Sequence, residues 1–266
     1  NCSCSSYQLI LKIIIYQFME EFRILAINPG STSTKIAVYA GLSPVLVKNI
    51  SHSNEELSKF DKITDQYSYR KDIIYREMQE AEILLGMIRA VVGRGGLLKP
   101  IPSGVYLVNE KMIADLRNSP MGEHASNLGG LIADDIAKSL PDAKAYIADP
   151  VVVDELQDIA RISGHPAFKR ISIFHALNQK AVARAHAKSI MKAYEELNLI
   201  VVHLGGGITI GAHKNGRVID VNQGLDGEGP FSPERSGTLP TSDLIKTCFS
   251  GKYTEKQLLK MAKGEG

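Results

Sequence analysis

From Arg23 onward, short apolar runs bounded by turn residues alternate with longer stretches in which apolar positions recur every three or four residues. Ile24–Ile27 predicts a strand, Asn28-Pro29-Gly30-Ser31 a turn, and Lys35–Tyr39 the return strand of a hairpin. Residues 54–90 predict mostly helix, with Ile73, Ile74, Met78, Leu84 and Leu85 at helical spacing, before Ala90-Val91-Val92 runs into Gly93-Arg94-Gly95-Gly96. Asn127–Leu140 predicts a helix stopped by Pro141-Asp142, and the strand Ala143–Ala148 then leads directly into Asp149-Pro150. Further helices are predicted over Asp154–Ile162 and His175–Leu197, the second followed by a strand at Leu199–Leu204. Such alternation predicts an α/β protein with substantial parallel pairing.

A length of 266 residues, 44% of them hydrophobic and 23% charged, gives room for one large or two ordinary domains. The formal charge of +2 supplies no global field to draw in nucleic acid or an anionic membrane, so neither is expected as a partner and any anion chemistry must be local. Three cysteines, Cys2, Cys4 and Cys248, are too few for a disulfide framework and point to a reducing, cytoplasmic setting. The apolar run Leu9–Phe18 is broken by Lys12 and Gln17 and falls short of the roughly 20 residues of a membrane span. No small-residue cleavage site follows it. Position 1 is Asn, whereas Met19 stands just ahead of the first strand, so translation is expected to start at Met19 with residues 1–18 a non-native upstream extension. The alternative is an ordered N-terminal helix.

Two segments carry candidate chemistry through their backbone. Asn28-Pro29-Gly30-Ser31-Thr32-Ser33-Thr34-Lys35 combines a tight turn, four hydroxyls and a cation, a set suited to phosphate oxygens and equally consistent with an ordinary hydroxyl-rich hairpin. It lacks the spacing of a Walker A loop. In His203-Leu204-Gly205-Gly206-Gly207-Ile208-Thr209-Ile210, three glycines between apolar strands either let backbone approach a ligand or simply make a turn. If both segments hold phosphate, the chain contains two related halves.

Single residues add to these. Arg94 and Arg235 sit in glycine- and serine-bearing segments read as loops, where a guanidinium can meet a carboxylate or phosphate with two hydrogen bonds. Asp149 stands at a strand end and His175 at a helix start, positions that functional residues often occupy. Asp226–Pro233 holds too many turn formers for regular structure and reads as a long ordered loop.

Taken in order, Ile27-Asn-Pro-Gly-Ser-Thr-Ser-Thr-Lys35, Asp149-Pro-Val-Val-Val-Asp-Glu-Leu156, Arg161-Ile-Ser-Gly-His-Pro166, Ile173-Phe-His-Ala-Leu-Asn-Gln-Lys180, His203-Leu-Gly-Gly-Gly207 and Gly216 through Pro240 resemble the butyrate kinases of the acetate kinase group. The resemblance runs from about Arg23 to the last residue. It implies two duplicated actin-like, ribonuclease H-like domains, at 19–149 and 150–266, closing on ATP and Mg²⁺ at their cleft. Matched residue by residue, Asn28, Ser31, Ser33 and Lys35 correspond to the first phosphate hairpin, and His203, Gly205, Gly206 and Gly207 to the second, which holds the nucleotide. Arg94 and Arg235 match the arginines that steady the carboxylate and the phosphoryl group in flight. Asp149 matches the acidic residue near metal and substrate, so Asn28 and Asp149 are the expected metal-side residues; His175 matches the histidine that stabilises the transition state.

The implied reaction moves the γ-phosphoryl of ATP reversibly onto butyrate or a branched short-chain acid, giving an acyl phosphate and ADP. The nearest alternatives are an acetate or propionate kinase and a non-catalytic truncated fragment; the Asn-Pro-Gly opening and Glu234-Arg-Ser-Gly-Thr-Leu-Pro240 favour the butyrate branch. Family members continue past Gly266 into an adenosine-binding segment, a further magnesium carboxylate and a final helix. The second domain is therefore expected to be incomplete and the isolated chain poorly soluble, with a homo-oligomer expected at full length.

Overall fold

The first hairpin forms as its apolar alternation requires, with β1 (Arg23–Pro29) antiparallel to β2 (Ser33–Ala40) and Leu25, Ile27, Ile36 and Val38 all buried. The computed structural model describes residues 22–264, so the expectations for residues 1–18, Met19, Cys2 and Cys4 fall outside the described residues. Two units are present: the chain up to Lys99 together with Gly104–Pro150, and Pro100–Ser103 with the chain from Val151 onward.

The first unit is built on a six-stranded sheet. β3 (Ser43–Ser51) pairs antiparallel with β2, and β4 (Ile88–Arg94) runs parallel to β1. β5 (Val105–Leu107) and β6 (Lys144–Ala148) complete the order β3-β2-β1-β4-β6-β5, with β6 parallel to β4 and β5 antiparallel to β6. Helices α1 (Tyr67–Glu80), α2 (Glu110–Asn118) and α3 (Asn127–Ser139) belong to this unit. α3 packs close to β4: a Cβ on Gly93 would lie 2.1 Å from the Gly129 carbonyl oxygen, and one on Gly129 would lie 2.3 Å from that of Arg94. Only glycine at both positions lets helix and strand meet this closely.

The helix expected over 54–90 is a correction. A single turn forms at Asn54–Leu57, α1 ends at Glu80, and Ile88 to Ala90 already belong to β4. Glu82 takes a left-handed φ of 52°, which stops the helix, and the β-branched run that follows is better accommodated in a central strand.

In the second unit, β7 (Asn198–Leu204), β8 (Ile208–Lys214) and β9 (Arg217–Val221) form an antiparallel sheet in sequence order. Helices α4 (Ala176–Ser189), α5 (Thr241–Cys248) and α6 (Glu255–Ala262) complete its regular structure. The helix expected to reach Leu197 stops at Ser189, because Met191 turns left-handed at φ 55° and only one 3₁₀ turn, Tyr194–Glu196, follows. The helix expected over Asp154–Ile162 is reduced to a 3₁₀ turn at Asp158–Arg161. Its backbone is bonded elsewhere: Asp154 Oδ1 accepts from Leu156 N, and Gln157 N donates to the Ile219 carbonyl.

One apolar cluster of this unit joins Val153, Leu156, Phe174, Val218 and Val221; another joins Ala183, Ala187, Tyr194 and Val201. Two polar features are sealed into the same interior. Lys180, 1% exposed, meets Glu155 Oε2 at 2.7 Å, while Lys180 also donates to the Gly216 carbonyl and Glu155 accepts from Val218 N. Beside them, burial and then the Lys180 cation hold the His213 imidazole down to about 4 from an ordinary 6.5. A histidine with a lowered native value contributes stability that is present above its ordinary value and is lost as pH falls through the native one. The unfolding free energy should therefore drop by up to about 3 kcal/mol between pH 6.5 and 4, from the linkage of that shift to folding. Denaturant titrations at several pH values check this, and His213→Gln should flatten the slope; an unchanged slope would remove His213 from the acid response.

Candidate active site

In the first unit the candidate residues gather at the carboxyl ends of three adjacent strands, where ligands bind in open parallel sheets. Asn28 is the penultimate residue of β1, Arg94 closes β4, and Asp149 follows the last residue of β6. Lys35 pairs directly with Asn28 across the hairpin, which sets both side chains on one face of the sheet. Arg94 Nη1 donates to Asn28 Oδ1 at a long 3.4 Å; among the described residues no carboxylate pairs with Arg94, although burial pushes its guanidinium below its ordinary value. Arg94 was expected on a flexible loop. It is instead the end of a central strand, and its glycine neighbours serve close packing rather than mobility.

Asp149 is 5% exposed, its backbone N donates to the Gly104 carbonyl, and its Oδ1 accepts from Gly104 N at 2.9 Å. Its φ of 33° lies in the left-handed region, a conformation that costs a non-glycine residue about 1 kcal/mol or more and gathers at functional sites. The hydroxyl hairpin is tied from behind by Arg70, which sequence reading missed. Its guanidinium, 1% exposed, donates to the carbonyls of Gly30, Ser31 and Ser33, to Thr34 Oγ1 and to Gln66 Oε1. Ser31 and Lys35 remain exposed and Ser33 half-buried. The available signal was a lone arginine among the buried positions of α1, Ile73, Ile74 and Met78.

In the second unit His175 is the N-cap residue of α4, and its ring stacks on that of His203 with centroids 3.7 Å apart and planes 14° from parallel. His203, near the end of β7, has Nδ1 2.8 Å from Asn178 Oδ1. Gly205, Gly206 and Gly207 make the β7–β8 turn, and Gly206 is closely covered: a Cβ there would lie 2.8 Å from the Glu234 carboxyl carbon. Ser232 Oγ and Glu234 N both donate to the Gly206 carbonyl. Arg235 donates from Nη1 to the Glu234 carbonyl and lies 3.6 Å from the Glu234 carboxylate, while its Nε is buried with no partner among the described residues. The segment Asp226–Pro233 is irregular, as expected, and is held to the sheet by Asn222 Nδ2 donating to the Glu228 carbonyl and by Gln223 N donating to Glu228 Oε2.

Each unit thus holds its own group: Asn28, Lys35, Arg94 and Asp149 in the first, and His175, His203, the triple glycine and Arg235 in the second. Residues 168–243 match the model of the Acetokinase family. Butyrate kinase 2 of Clostridium acetobutylicum is 57% identical over 92% of this chain and 69% of its own length. The chain belongs to the butyrate kinase group of the acetokinase family. A probable butyrate kinase of Phocaeicola vulgatus is 60% identical over 92% of this chain and 68% of its own length. Among solved structures, acetate kinase of Porphyromonas gingivalis superposes with a TM-score of 0.69 at 16% identity, over 92% of this chain and 68% of that one. The propionate kinase of Francisella tularensis gives 0.66 at 19% identity over the same shares. These likenesses establish the acetate kinase fold, in keeping with the α/β, actin-like reading of the sequence. Among the described residues no helix is long and apolar enough to cross a membrane.

Magnesium, which kinase chemistry implies, asks for hard oxygen ligands. The Asp149 carboxylate and the Asn28 amide oxygen, at the ends of β6 and β1, are a donor set of that kind. Among the described residues no cluster of three or more His, Cys, Asp or Glu could hold a metal ion.

Proposed function

We propose that the chain catalyses phosphoryl transfer from ATP to butyrate, or to a branched acid of similar size, as an ATP-dependent carboxylate kinase. The observation that carries the reading is the 53–60% identity to butyrate kinases over about nine-tenths of the chain. The acceptor is ionised at neutral pH, since such carboxylic acids have an ordinary pKa of about 4, so no general base is required. One carboxylate oxygen bonds to the γ-phosphorus as the bond from that phosphorus to the β,γ-bridging oxygen breaks, leaving acyl phosphate and ADP.

The protein's task is then to bring two anions together and to neutralise charge on the transferring group. Arg94 and Arg235 steady the carboxylate and the phosphoryl group, His175 donates to the phosphoryl oxygens, and Asn28, Ser31, Ser33 and Lys35 hold phosphate in the first unit. His203 with Gly205, Gly206 and Gly207 holds the nucleotide phosphates in the second. Asn28 and Asp149 would hold Mg²⁺, which when bound draws charge from the phosphate oxygens. A cytoplasmic setting and a homo-oligomeric assembly belong to the same proposal.

Incubating the folded protein with Mg-ATP and acetate, propionate, butyrate or isobutyrate, with hydroxylamine to trap the acyl phosphate, tests it. Butyrate or isobutyrate should be the preferred acceptor. Preference for acetate or propionate would reassign the substrate, and no hydroxamate from any acid would replace this reading with that of a non-catalytic nucleotide-binding protein.

A further inference from the structure

Behind His175 a line of side chains runs into the interior of the second unit. His175 Nδ1 lies 3.0 Å from Thr209 Oγ1. Gln179 Nε2 is 2.8 Å from the same hydroxyl and 3.0 Å from the Thr209 carbonyl oxygen. Gln179 Oε1 lies 2.9 Å from His213 Nε2, and His213 Nδ1 lies 2.6 Å from the Tyr194 hydroxyl. Thr209 and Gln179 are fully buried, and His213 and Tyr194 nearly so.

The Thr209 carbonyl gives this line a direction. A carbonyl oxygen only accepts, so the Gln179 atom facing it is the amide nitrogen, and the amide oxygen faces His213. That oxygen also only accepts, so His213 carries a hydrogen on Nε2. Burial holds His213 uncharged at neutral pH, so its Nδ1 accepts from Tyr194. At the other end, the two amide hydrogens of Gln179 go to the carbonyl and hydroxyl oxygens of Thr209. The Thr209 hydroxyl, having accepted from Gln179, keeps one hydrogen to give, and His175 Nδ1 lies within its reach.

We infer that Thr209 and Gln179 are positioning residues that hold the His175 ring with Nδ1 as the acceptor of the Thr209 hydroxyl and Nε2–H turned to the glycine-rich hairpin. The ring's placement agrees: a Cβ on Gly207 would sit 3.4 Å from His175 Cε1 and 3.8 Å from Nε2, so that edge of the imidazole faces the hairpin. The chemistry also requires it. Phosphoryl oxygens accept hydrogen bonds, so a ring presenting the Nε2 lone pair would repel them, whereas Nε2–H attracts them. Stacking on His203 keeps the ring plane fixed, and the Thr209 bond fixes which nitrogen points inward. The inference rests on the reading of His175 as the group that meets the transferring phosphoryl.

Nitrogen-15 spectra of the histidine-labelled full chain test this apart from activity, with His175 assigned by its loss in His175→Asn. Wild type should show His175 protonated on Nε2, with an Nδ1 signal shifted by an accepted hydrogen bond. Thr209→Val, which removes the hydroxyl and keeps the shape, should move Nδ1 to the value of a nitrogen without a partner. The same change should lower kcat about tenfold, less than the roughly hundredfold lost with a direct donor because the His175 ring itself stays, with the KM for the acid nearly unchanged. Thr209→Ser should restore both, and Gln179→Leu, which frees the Thr209 hydroxyl to rotate, should resemble Thr209→Val. A wild-type His175 protonated on Nδ1 would overturn the inference even if no variant folded, as would an Nδ1 signal indifferent to Thr209→Val. If the spectra follow expectation while kcat is untouched, the tautomer assignment holds and the reading of His175 as a phosphoryl contact falls instead.

Discussion

Replacing Arg94 with alanine is expected to lower kcat at least about a hundredfold, the effect of removing one preorganised donor from a charge-stabilising site. Arg94 closes a central strand, lies against Asn28 and, among the described residues, pairs with no carboxylate. A guanidinium in that state has its hydrogen-bonding capacity open to an incoming anion. Its position is set by the interlocked backbones of Gly93 and Gly129 beneath it, so it is presented in one geometry without a loop having to order. Arg94→Lys keeps the charge and loses the planar fork, so it should recover only part of the lost turnover. Steady-state kinetics on Arg94→Ala, with circular dichroism to show that the fold persists, checks this; near-normal turnover would remove Arg94 from the transition-state site.

Lys180→Met is expected to destabilise the second unit by about 3–5 kcal/mol, the usual cost of breaking a buried ion pair from one side. The cause is the partner left behind. Glu155 is 9% exposed, and without the ammonium 2.7 Å away its charge keeps, among the described residues, only the Val218 N–H as a hydrogen-bond donor. Removing both charges should cost much less. The double variant Glu155→Met/Lys180→Met is expected to melt well above Lys180→Met alone, because no isolated charge remains in an apolar interior. Guanidinium titrations of wild type, the two single variants and the double variant give the coupling; a double variant as unstable as the sum of the singles would show that the two side chains act independently.

Much of the architecture is legible wherever burial dictates the pattern. The strands at Ala143–Ala148 and Leu199–Leu204 and the helix starting at Asn127 appear within about a residue of their expected bounds, because each is apolar on the face it buries, whereas the strand expected at Ile24–Ile27 continues through Asn28 and Pro29, read as turn. β3 escaped notice, since Ser43–Ser51 lies at the sheet edge with no position fully buried and so shows no alternation. The overextended helices failed where backbone chemistry overruled propensity. Glu82 and Met191 turn left-handed, and Asp154 takes a backbone N–H that a helix would have needed otherwise.

The site divides along the same line. Asp149 was recognisable because it follows a strand whose end the apolar run sets, whereas Asn28 stood out in a hydroxyl-rich turn and Arg94 between glycines read as a loop, although both lie in strands. The residues supporting them were harder to see. Arg70 reaches the hairpin from a separation of about forty residues, a contact with no local trace in the sequence. Gln179 could have been found, because it lies four residues after His175 and so shares its side of the helix. Thr209 could not, since only the β7–β8 register brings it level with His203.

The most direct test of carboxylate kinase activity is the reverse reaction: butyryl phosphate and Mg-ADP supplied to the folded protein, with ATP read by luminescence. ATP should form, saturating with butyryl phosphate, and its rate should fall at least about a hundredfold in Arg94→Ala, as expected for loss of one charge-stabilising donor. ATP at the level of a protein-free control, from a wild-type protein shown to be folded, would contradict carboxylate kinase activity.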